Sequence, residues 1–474
     1  MSCLRIPEAL YRQAKGHMES APGEHFGFFL ASTTFSGGEP VFLVHDIALI
    51  ADRDVRVSKD GWSVNTEALL SVINRAVQSK SGLVEFHNHG GAMPRFSRTD
   101  HAGFEEFVPY VLDSLPQLPY GATVWGDDLV YGEYFLSPDK RGKIRSIAVT
   151  GARLDQVVSL DDDGTQAESR FTRQLPWFSE QGQRKLGRIR TGVVGLSGTG
   201  SPLVQNLVYL GVRNFLLIEP EDADDSNLNR LVTASFADIG TSKLALARRL
   251  IKSVAPNAVV DGFASDLREH EALDALKGVD VLFGAVDNDG ARLVLAELCA
   301  AYGIPYFDLA VGIDVMDGVI AQAGGRVFCQ LPGGPCLYCA REIDPDEARY
   351  ALSSQEGKEM IRRQGYVSGL DVQAPSVVSL NASIAAAAAN EFACYVSGLR
   401  WPAPFTELDL LGVARTTKSQ WVTPRKVQRV SGCPVCGAAG FGDDANVLGR
   451  YAIVDSTLKL VPSHIAQKGG IQRA

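Results

Sequence analysis

Residues 85 to 100 read EFHNHGGAMPRFSRTD. His87 and His89 stand two apart at the end of a strand-like run, so their rings share one face at a separation of about 6.5 Å and can share one metal ion. Ser97 and Asp100 follow at the head of a helical segment, SRTDHAGFEEFVPYVL. A serine three positions ahead of an aspartate is also an ordinary helix capping box, and histidines on a strand can be held by hydrogen bonds alone. Elsewhere PCLYC and GCPVC set Cys336, Cys339, Cys433 and Cys436 in two Cys-x-x-Cys pairs, the usual supply for a closed tetrahedral zinc site. A third constellation is the glycine loop GVVGLSGTGSP, with Gly195, Gly198 and Gly200 between a strand-like and a helical run. There phosphates can approach the backbone amides of a helix N-terminus.

These residues need elements to position them. Between residues 1 and 140, strand-like GFFLAS, EPVFLVHDIAL and GLVEFH mix with the helical spacing of EALLSVINRAVQ, which predicts an α+β unit. Residues 141–168 hold a strand-like RSIAVTG and then the polar, acidic SLDDDGTQAES, which predicts a linker. In a second domain expected over 169–440, the runs RTGVVGL, NFLLIEP, AVVDGFAS, VDVLFGAVD and IPYFDLAV alternate up to about residue 330 with helical segments such as SPLVQNLVYLG and SKLALARRLIKSV. Such alternation predicts an α/β fold, a Rossmann-like, doubly wound parallel sheet covered by helices. The alanine-rich SLNASIAAAAANEFACYVSG reads as a buried helix, and residues 441–474 as a C-terminal tail.

The 474 residues are 45% hydrophobic and 21% charged, a composition of folded protein in several domains. A net charge of -9 and a pI near 5.5, with no dense Lys/Arg cluster, argue against nucleic acid or an anionic membrane as partner. No uninterrupted apolar run of 18 residues and no signal-peptide core stand in the sequence. The expectation is a cytoplasmic protein whose eight cysteines are thiols or metal ligands, not disulfides.

Taken together, the spacing H-x-H-x7-S-x-x-D resembles that of the JAMM (JAB, or MPN-type) zinc metalloprotease family. The resemblance implies one catalytic zinc held by His87, His89 and Asp100, with the fourth position left for water. It also implies an upstream glutamate that takes and returns a proton. The context PGEHFGFFLAS matches Glu24 to that place, with Glu19 and Glu85 as competitors, and Ser97 falls where the family hydrogen-bonds the oxyanion.

Glu219, 19 residues after Gly200, would suit a nicotinamide dehydrogenase. The continuation EPEDADDSNLNRLVTASFADIGTSKLALARR, followed by GAVDNDGAR, instead resembles the ubiquitin-activating ThiF/MoeB/HesA class of adenylyltransferases. Matched position by position, that resemblance implies Glu219 at the ribose of ATP, Asn227, Arg230 and Lys243 at the phosphates, and Asp287 at Mg2+. Most of the class carries aspartate where Glu219 stands. RFTRQLPWFSEQGQRKL resembles the opening helices of the class, whose arginine reaches the other subunit's ATP site, so Arg173 and a homodimer are expected. The class also places a structural zinc at two such cysteine pairs.

Many activating enzymes carry a thioester-forming cysteine in the loop beyond the first zinc pair. Here none stands between Ala340 and Gln373, and Val367 and Ser368 occupy its place. The activated carboxylate would then pass to the thiol of a conjugating enzyme, to a sulfur donor, or to a cysteine such as Cys329. Two functions are implied. One is a bifunctional enzyme that cleaves ubiquitin-like precursors or isopeptide bonds and adenylates the ubiquitin-like C-terminus; the other is an activator of a sulfur-carrier protein in cofactor or amino-acid sulfur metabolism. A non-catalytic scaffold with degenerate sites is a third reading. The terminal QKGGIQRA, with Gly469 and Gly470, reads as a flexible end.

Overall fold

Alternation along FGFFLASTTFS sends Phe26, Phe28 and Leu30 to one face of a strand and Phe29 and Ala31 to the other, and both faces are buried. The computed structural model describes all residues except 1, 59–60, 90–93, 127–128, 152–154, 160–167, 365–374, 412–419, 423–424 and 454–474. The chain divides into two units, Met1–Gln166 with Gly440–Ala445, and Ala167–Ala439 with Asn446–Ala474.

The first unit has strands β1 (Cys3–Pro7), β2 (Phe26–Ser36), β3 (Glu39–Leu49), β4 (Val55–Ser58), β5 (Gly61–Val64), β6 (Gly82–Asn88), β7 (Tyr120–Trp125), β8 (Leu129–Ser137), β9 (Lys140–Lys143), β10 (Ser146–Thr150) and β11 (Asp155–Ser159). Its helices are α1 (Glu8–Met18), α2 (Thr66–Ser79) and α3 (Arg98–Ser114). The main sheet runs β11-β10-β1-β3-β2-β6-β7-β8-β9, and β11 also pairs with β8, so the sheet curls back on itself. One apolar cluster joins Phe28 and Leu30 to Val72, Ile73, Phe104 and Val108 of α2 and α3. Another joins Phe29, Phe42 and Phe86 to Ala14 and Met18 of α1.

The stretch 141–168 is not simply a linker. It supplies β10 and β11, with Ile147, Ala148 and Val149 buried and Ile147 paired in parallel with Leu4. The strand character of RSIAVTG is visible locally, but its partner β1 lies at the other end of the unit, and local pattern carries no such long-range pairing.

The second unit has strands β12 (Arg190–Val194), β13 (Asn214–Ile218), β14 (Val259–Phe263), β15 (Val281–Gly284), β16 (Tyr306–Met316), β17 (Val319–Gln330), β18 (Phe405–Asp409) and β19 (Gln420–Val422). Its helices are α4 (Leu175–Arg188), α5 (Gly200–Leu210), α6 (Lys243–Val254), α7 (His270–Leu276), α8 (Asp289–Tyr302), α9 (Leu337–Ala340), α10 (Pro345–Leu352), α11 (Gln355–Gln364), α12 (Val378–Ser397) and α13 (Val447–Tyr451). The sheet runs β14-β13-β12-β15-β16-β17-β18-β19, parallel through β16 and antiparallel beyond it. Helix α12 is the expected buried alanine-rich helix, packed on α4, α5, β16 and β17. The expected tail 441–474 is not one piece: Gly440–Ala445 belongs to the first unit and α13 to the second, while Gly469 and Gly470 lie outside the described residues. Among the described residues no helix is long and apolar enough to cross a membrane.

Candidate functional site

Strand β6 delivers His87 fully buried and ends at Asn88, so His89 stands just past the strand. The two Nε2 atoms come within 3.2 Å, closer than extended spacing alone would bring them. Asp100, buried in the first turn of α3, sets Oδ1 at 3.7 Å from His87 Nε2 and Oδ2 at 3.3 Å from His89 Nε2. One ligand atom from each residue lies within 4.8 Å of the others. The buried Oδ1 of Asp100 accepts no hydrogen bond among the described residues. Two imidazoles and a carboxylate whose Oδ1 accepts no hydrogen bond fit a divalent cation, zinc above all. Burial alone would lower the pKa of His87, but the carboxylates of Asp100 and Glu85 outweigh it and push the value up to about 9. Burial opposes the charge on Asp100, yet His87 and His89 hold its carboxyl well below the usual carboxylate range.

Ser97 is the N-cap of α3: its Oγ accepts the Asp100 N–H at 3.1 Å, and its own N–H donates to Asp100 Oδ2 at 2.5 Å. The capping box is therefore real, and it also fixes the carboxylate of the metal-type cluster. Of the three glutamates, Glu85 is buried and committed, 3.0 Å from His87 Nδ1 and accepting the Tyr120 hydroxyl at 2.6 Å. An Nδ1–H donated to that carboxylate turns Nε2 toward the cluster, where a bound cation would take the place of its proton. Glu19 is exposed beside Lys15. Glu24 is exposed two residues before β2, whose first residue Phe26 pairs with His87, so the chain enters β2 at the end of β6 that carries the histidines.

In the second unit the four predicted cysteines meet. Sulfur–sulfur distances are 3.7 Å for Cys336–Cys339, 3.6 Å for Cys336–Cys433 and 3.5 Å for Cys339–Cys436. A tetrahedron of zinc–sulfur bonds near 2.3 Å has an edge of about 3.8 Å. All four are free thiols, so the cluster fits zinc and no disulfide competes. Burial pushes the Cys436 thiol up to about 11, while the Val430 amide, 3.3 Å from Cys339 Sγ, helps lower Cys339 to about 7 against the effect of burial.

The glycine loop caps β12. Gly195 has φ +87°, and a Cβ on it would lie 2.4 Å from the Ala285 oxygen. One on Gly200 would lie 1.9 Å from the Gly195 oxygen, and one on Gly198 2.7 Å from Asn381 Nδ2 and 3.3 Å from Arg230 Cδ. At Gly195 and Gly200 a side chain would strike backbone, so the loop needs glycine there, and it leads into the N-terminus of α5, a setting suited to phosphate. Glu219 at the end of β13 accepts Leu196 N–H at 2.6 Å and Glu221 N–H at 3.1 Å; burial raises its pKa, opposed by those amides and by nearby Lys243. Lys243 is 1% exposed and donates Nζ to Glu221 Oε2 at 2.5 Å. Asn227 is buried in a capping turn, where its Oδ1 accepts the Asp224 N–H at 3.2 Å; Arg230 donates to the Ser226 carbonyl at 2.6 Å. Asp287 is exposed two residues past Ala285, the residue that abuts Gly195. Arg173 lies exposed in the turn before α4, and among the described residues no hydrogen bond or ion pair ties it to this group. Cys329, offered above as an acceptor, is buried in β17 with its thiol pushed well above the usual range by burial, which removes it as a ready nucleophile.

The glycine loop and the turn of Asp287 thus meet at the C-terminal ends of β12 and β15, where the strand order reverses. Open α/β sheets bind nucleotides in that crevice. The second unit has this open α/β architecture, and the chain belongs to the ThiF family, whose model matches residues 171–435. The SAMP-activating enzyme E1 of Haloferax volcanii is 28% identical over 184 residues, 38% of this chain and 64% of that protein. The sulfur carrier protein adenylyltransferase of Thermus thermophilus is 30% identical over 178 residues, 36% of this chain and 62% of that protein. Each match therefore spans less than two thirds of the relative's own length. Among solved structures, E. coli MccB with ATP is 17% identical with a TM-score of 0.44, covering 57% of this chain and 75% of that one.

Sequence reasoning missed Asn381, Glu221 and Asn88. Asn381 is 2% exposed, and its one signal was a polar residue near the start of an otherwise apolar helix. Glu221 lies in an acidic run, and nothing in sequence marks it as the partner of Lys243.

Proposed function

We propose that the second unit uses MgATP to adenylate the C-terminal carboxylate of a small sulfur-carrier or ubiquitin-like protein. The observation that carries this reading is the glycine loop at the switch point, where Glu219 accepts the Leu196 N–H and a side chain on Gly198 would meet Arg230. A carboxylate oxygen attacks the α-phosphorus, the bond to the bridging oxygen breaks, and pyrophosphate leaves. Both reactants are anionic, so Arg230 and Lys243 neutralise the phosphates, Lys243 exchanging Glu221 for the triphosphate. Asn227 donates to a phosphate oxygen, Glu219 holds the ribose, and Asp287 carries the magnesium. Arg173 would complete the site of the other protomer in a homodimer.

The sulfur-carrier reading is favoured over conjugation. No cysteine stands between Ala340 and Gln373, and Cys329 is buried. The relatives named above are a sulfur carrier protein adenylyltransferase and a SAMP-activating enzyme. Sulfide-level sulfur from a donor would then attack the acyl carbon of the adenylate, breaking its bond to AMP, which leaves, and giving a thiocarboxylate. The test is to incubate the full chain with MgATP and candidate ubiquitin-like proteins ending in diglycine, then weigh their C-termini. Carboxylate-dependent ATP–pyrophosphate exchange that survives both Lys243→Ala and Asp287→Ala sinks the assignment, as would hydride transfer with a nicotinamide. Transfer to a partner protein's cysteine would restore the conjugation reading.

A second activity belongs to the first unit, a JAMM-like metalloprotease domain in this proposal. It is carried by the His87, His89 and Asp100 cluster, in which Asp100 Oδ1 accepts no hydrogen bond. Bound zinc would supply an acidified water and polarise a peptide carbonyl. Glu24 takes a proton and returns it to the leaving amine, and Ser97 Oγ stabilises the oxyanion. Its substrate class would be the same small protein, cleaved after its C-terminal glycine or at an isopeptide bond. Zinc at the four cysteines would be structural. Asp100→Asn decides: unchanged zinc content and unchanged hydrolysis would remove the metalloprotease reading.

A further inference from the structure

Between the two histidines of the metal-type cluster stands Asn88, which belongs to no ligand set. Its Oδ1 accepts the His25 N–H at 2.8 Å, and its Nδ2 donates to the carbonyls of Met18 at 3.1 Å and Gly23 at 3.3 Å. Those three bonds grip both ends of residues 18–25, the segment that carries Glu24 from α1 into β2. The segment has other ties: His17 Nε2 meets the Phe26 carbonyl at 3.0 Å, and the buried His25 ring meets Ala21 O at 2.9 Å and Asp52 Oδ1 at 3.1 Å. Of all these groups, Asn88 alone comes from the strand that carries His87.

We propose that Asn88 is the positioning residue for Glu24, locking the Glu24 segment onto the end of the strand that bears the ligands so that the carboxylate is held for the metal-type cluster. The proposal rests on the metalloprotease reading above. Successive residues of a strand face opposite ways, so one strand end presents its histidines to the metal cluster and its asparagine to the base-bearing segment. A single rigid element thereby sets both halves of the site, and a misplacement of about 1 Å in a reacting group costs as much as 100-fold in rate.

The experiment uses the zinc-loaded full chain and its Asn88→Ala, Glu24→Gln and double variants. Three readouts are zinc content, hydrogen exchange of the amides of residues 19–25, and cleavage of a ubiquitin-like protein extended past its diglycine. Asn88→Ala is expected to keep its zinc, speed exchange in the segment at least about 10-fold, and lower kcat about 10- to 100-fold with little change in KM. Added to Glu24→Gln it should lower kcat no further, because both act through one carboxylate. Unchanged exchange, loss of zinc from the single variant, or additive losses in the double variant would overturn the role of Asn88. Full activity of Glu24→Gln, or no cleavage by the wild-type chain, would instead defeat the metalloprotease reading, and the exchange measurement would still decide whether Asn88 holds the segment.

Discussion

The two ligand clusters differ in what they leave unsatisfied. The four cysteines of the second unit close on one another at tetrahedral edge lengths, buried, with an amide already turned to Cys339. Such a sphere has no place for a substrate, and its binding energy goes into holding α9 to the loop of Cys433 and Cys436. His87, His89 and Asp100 supply three donors, one of them a carboxylate whose Oδ1 accepts no hydrogen bond, and an exposed glutamate stands two residues before the last strand pair, Phe26↔His87. Completeness of the sphere separates a structural site from a reactive one more reliably than residue type does.

The largest effect that could break this comparison is expected from His87→Ala. Zinc should fall from two ions per chain to one, and hydrolysis of a diglycine-extended protein by a factor on the order of 10³ or more. ATP–pyrophosphate exchange should stay within about twofold of wild type. Elemental analysis beside the two assays checks it; an unchanged zinc count would place the metal elsewhere. Next comes Cys436→Ser, which should remove the other ion and destabilise the second unit by roughly 3 kcal/mol, read by calorimetry. Exchange should fail with the fold, and a variant of normal stability would deny the cysteine site its structural role.

How much of this was legible depended on how local the signal was. The cysteine pairs, the glycine loop and the sheet around it were visible because each is a short motif in a βαβ alternation, with the context on both sides. The His–His–Ser–Asp spacing was visible, but the geometry joining its two ends was not, since residues 90–93 intervene and helix and strand converge only in the fold. RSIAVTG was judged by its acidic neighbours, whereas its strand exists because β1 offers an edge far away in sequence. Glu85 illustrates the limit best. Sequence could only rank it against Glu24 and Glu19 as a proton acceptor; its hydrogen bonds to His87 and Tyr120 assign it to orienting a ring.

That assignment gives a smaller, sharper test. Glu85→Gln keeps the shape of the side chain and removes the charge behind His87 Nδ1, so zinc affinity at the His/Asp cluster should weaken about 10- to 100-fold. Competition with a chelating dye would measure it. The cysteine site, which has no carboxylate of this kind among its ligands, should keep its ion through the same titration; parallel loss from both would mean the variant had loosened the fold.

The smallest effect concerns how each cluster is held before a metal arrives. Asp100 is pinned by the helix cap, through the Ser97 hydroxyl and the Ser97 amide, so its carboxylate is preorganised by the start of α3. Ser97→Ala removes only the hydroxyl half of that cap, at a cost of about 1 kcal/mol in the unfolding of the first unit. The amide still reaches Asp100 Oδ2, so zinc content should not change. The cysteine loops, by contrast, have thiols that repel as they ionise, and only a cation brings four of them to 3.5–3.7 Å without penalty. Chelation should therefore leave α3 and β6 protected from hydrogen exchange while exposing the amides around Val430 and Cys436. Equal loss of protection at both places would show that the His/Asp cluster, too, owes its geometry to the metal.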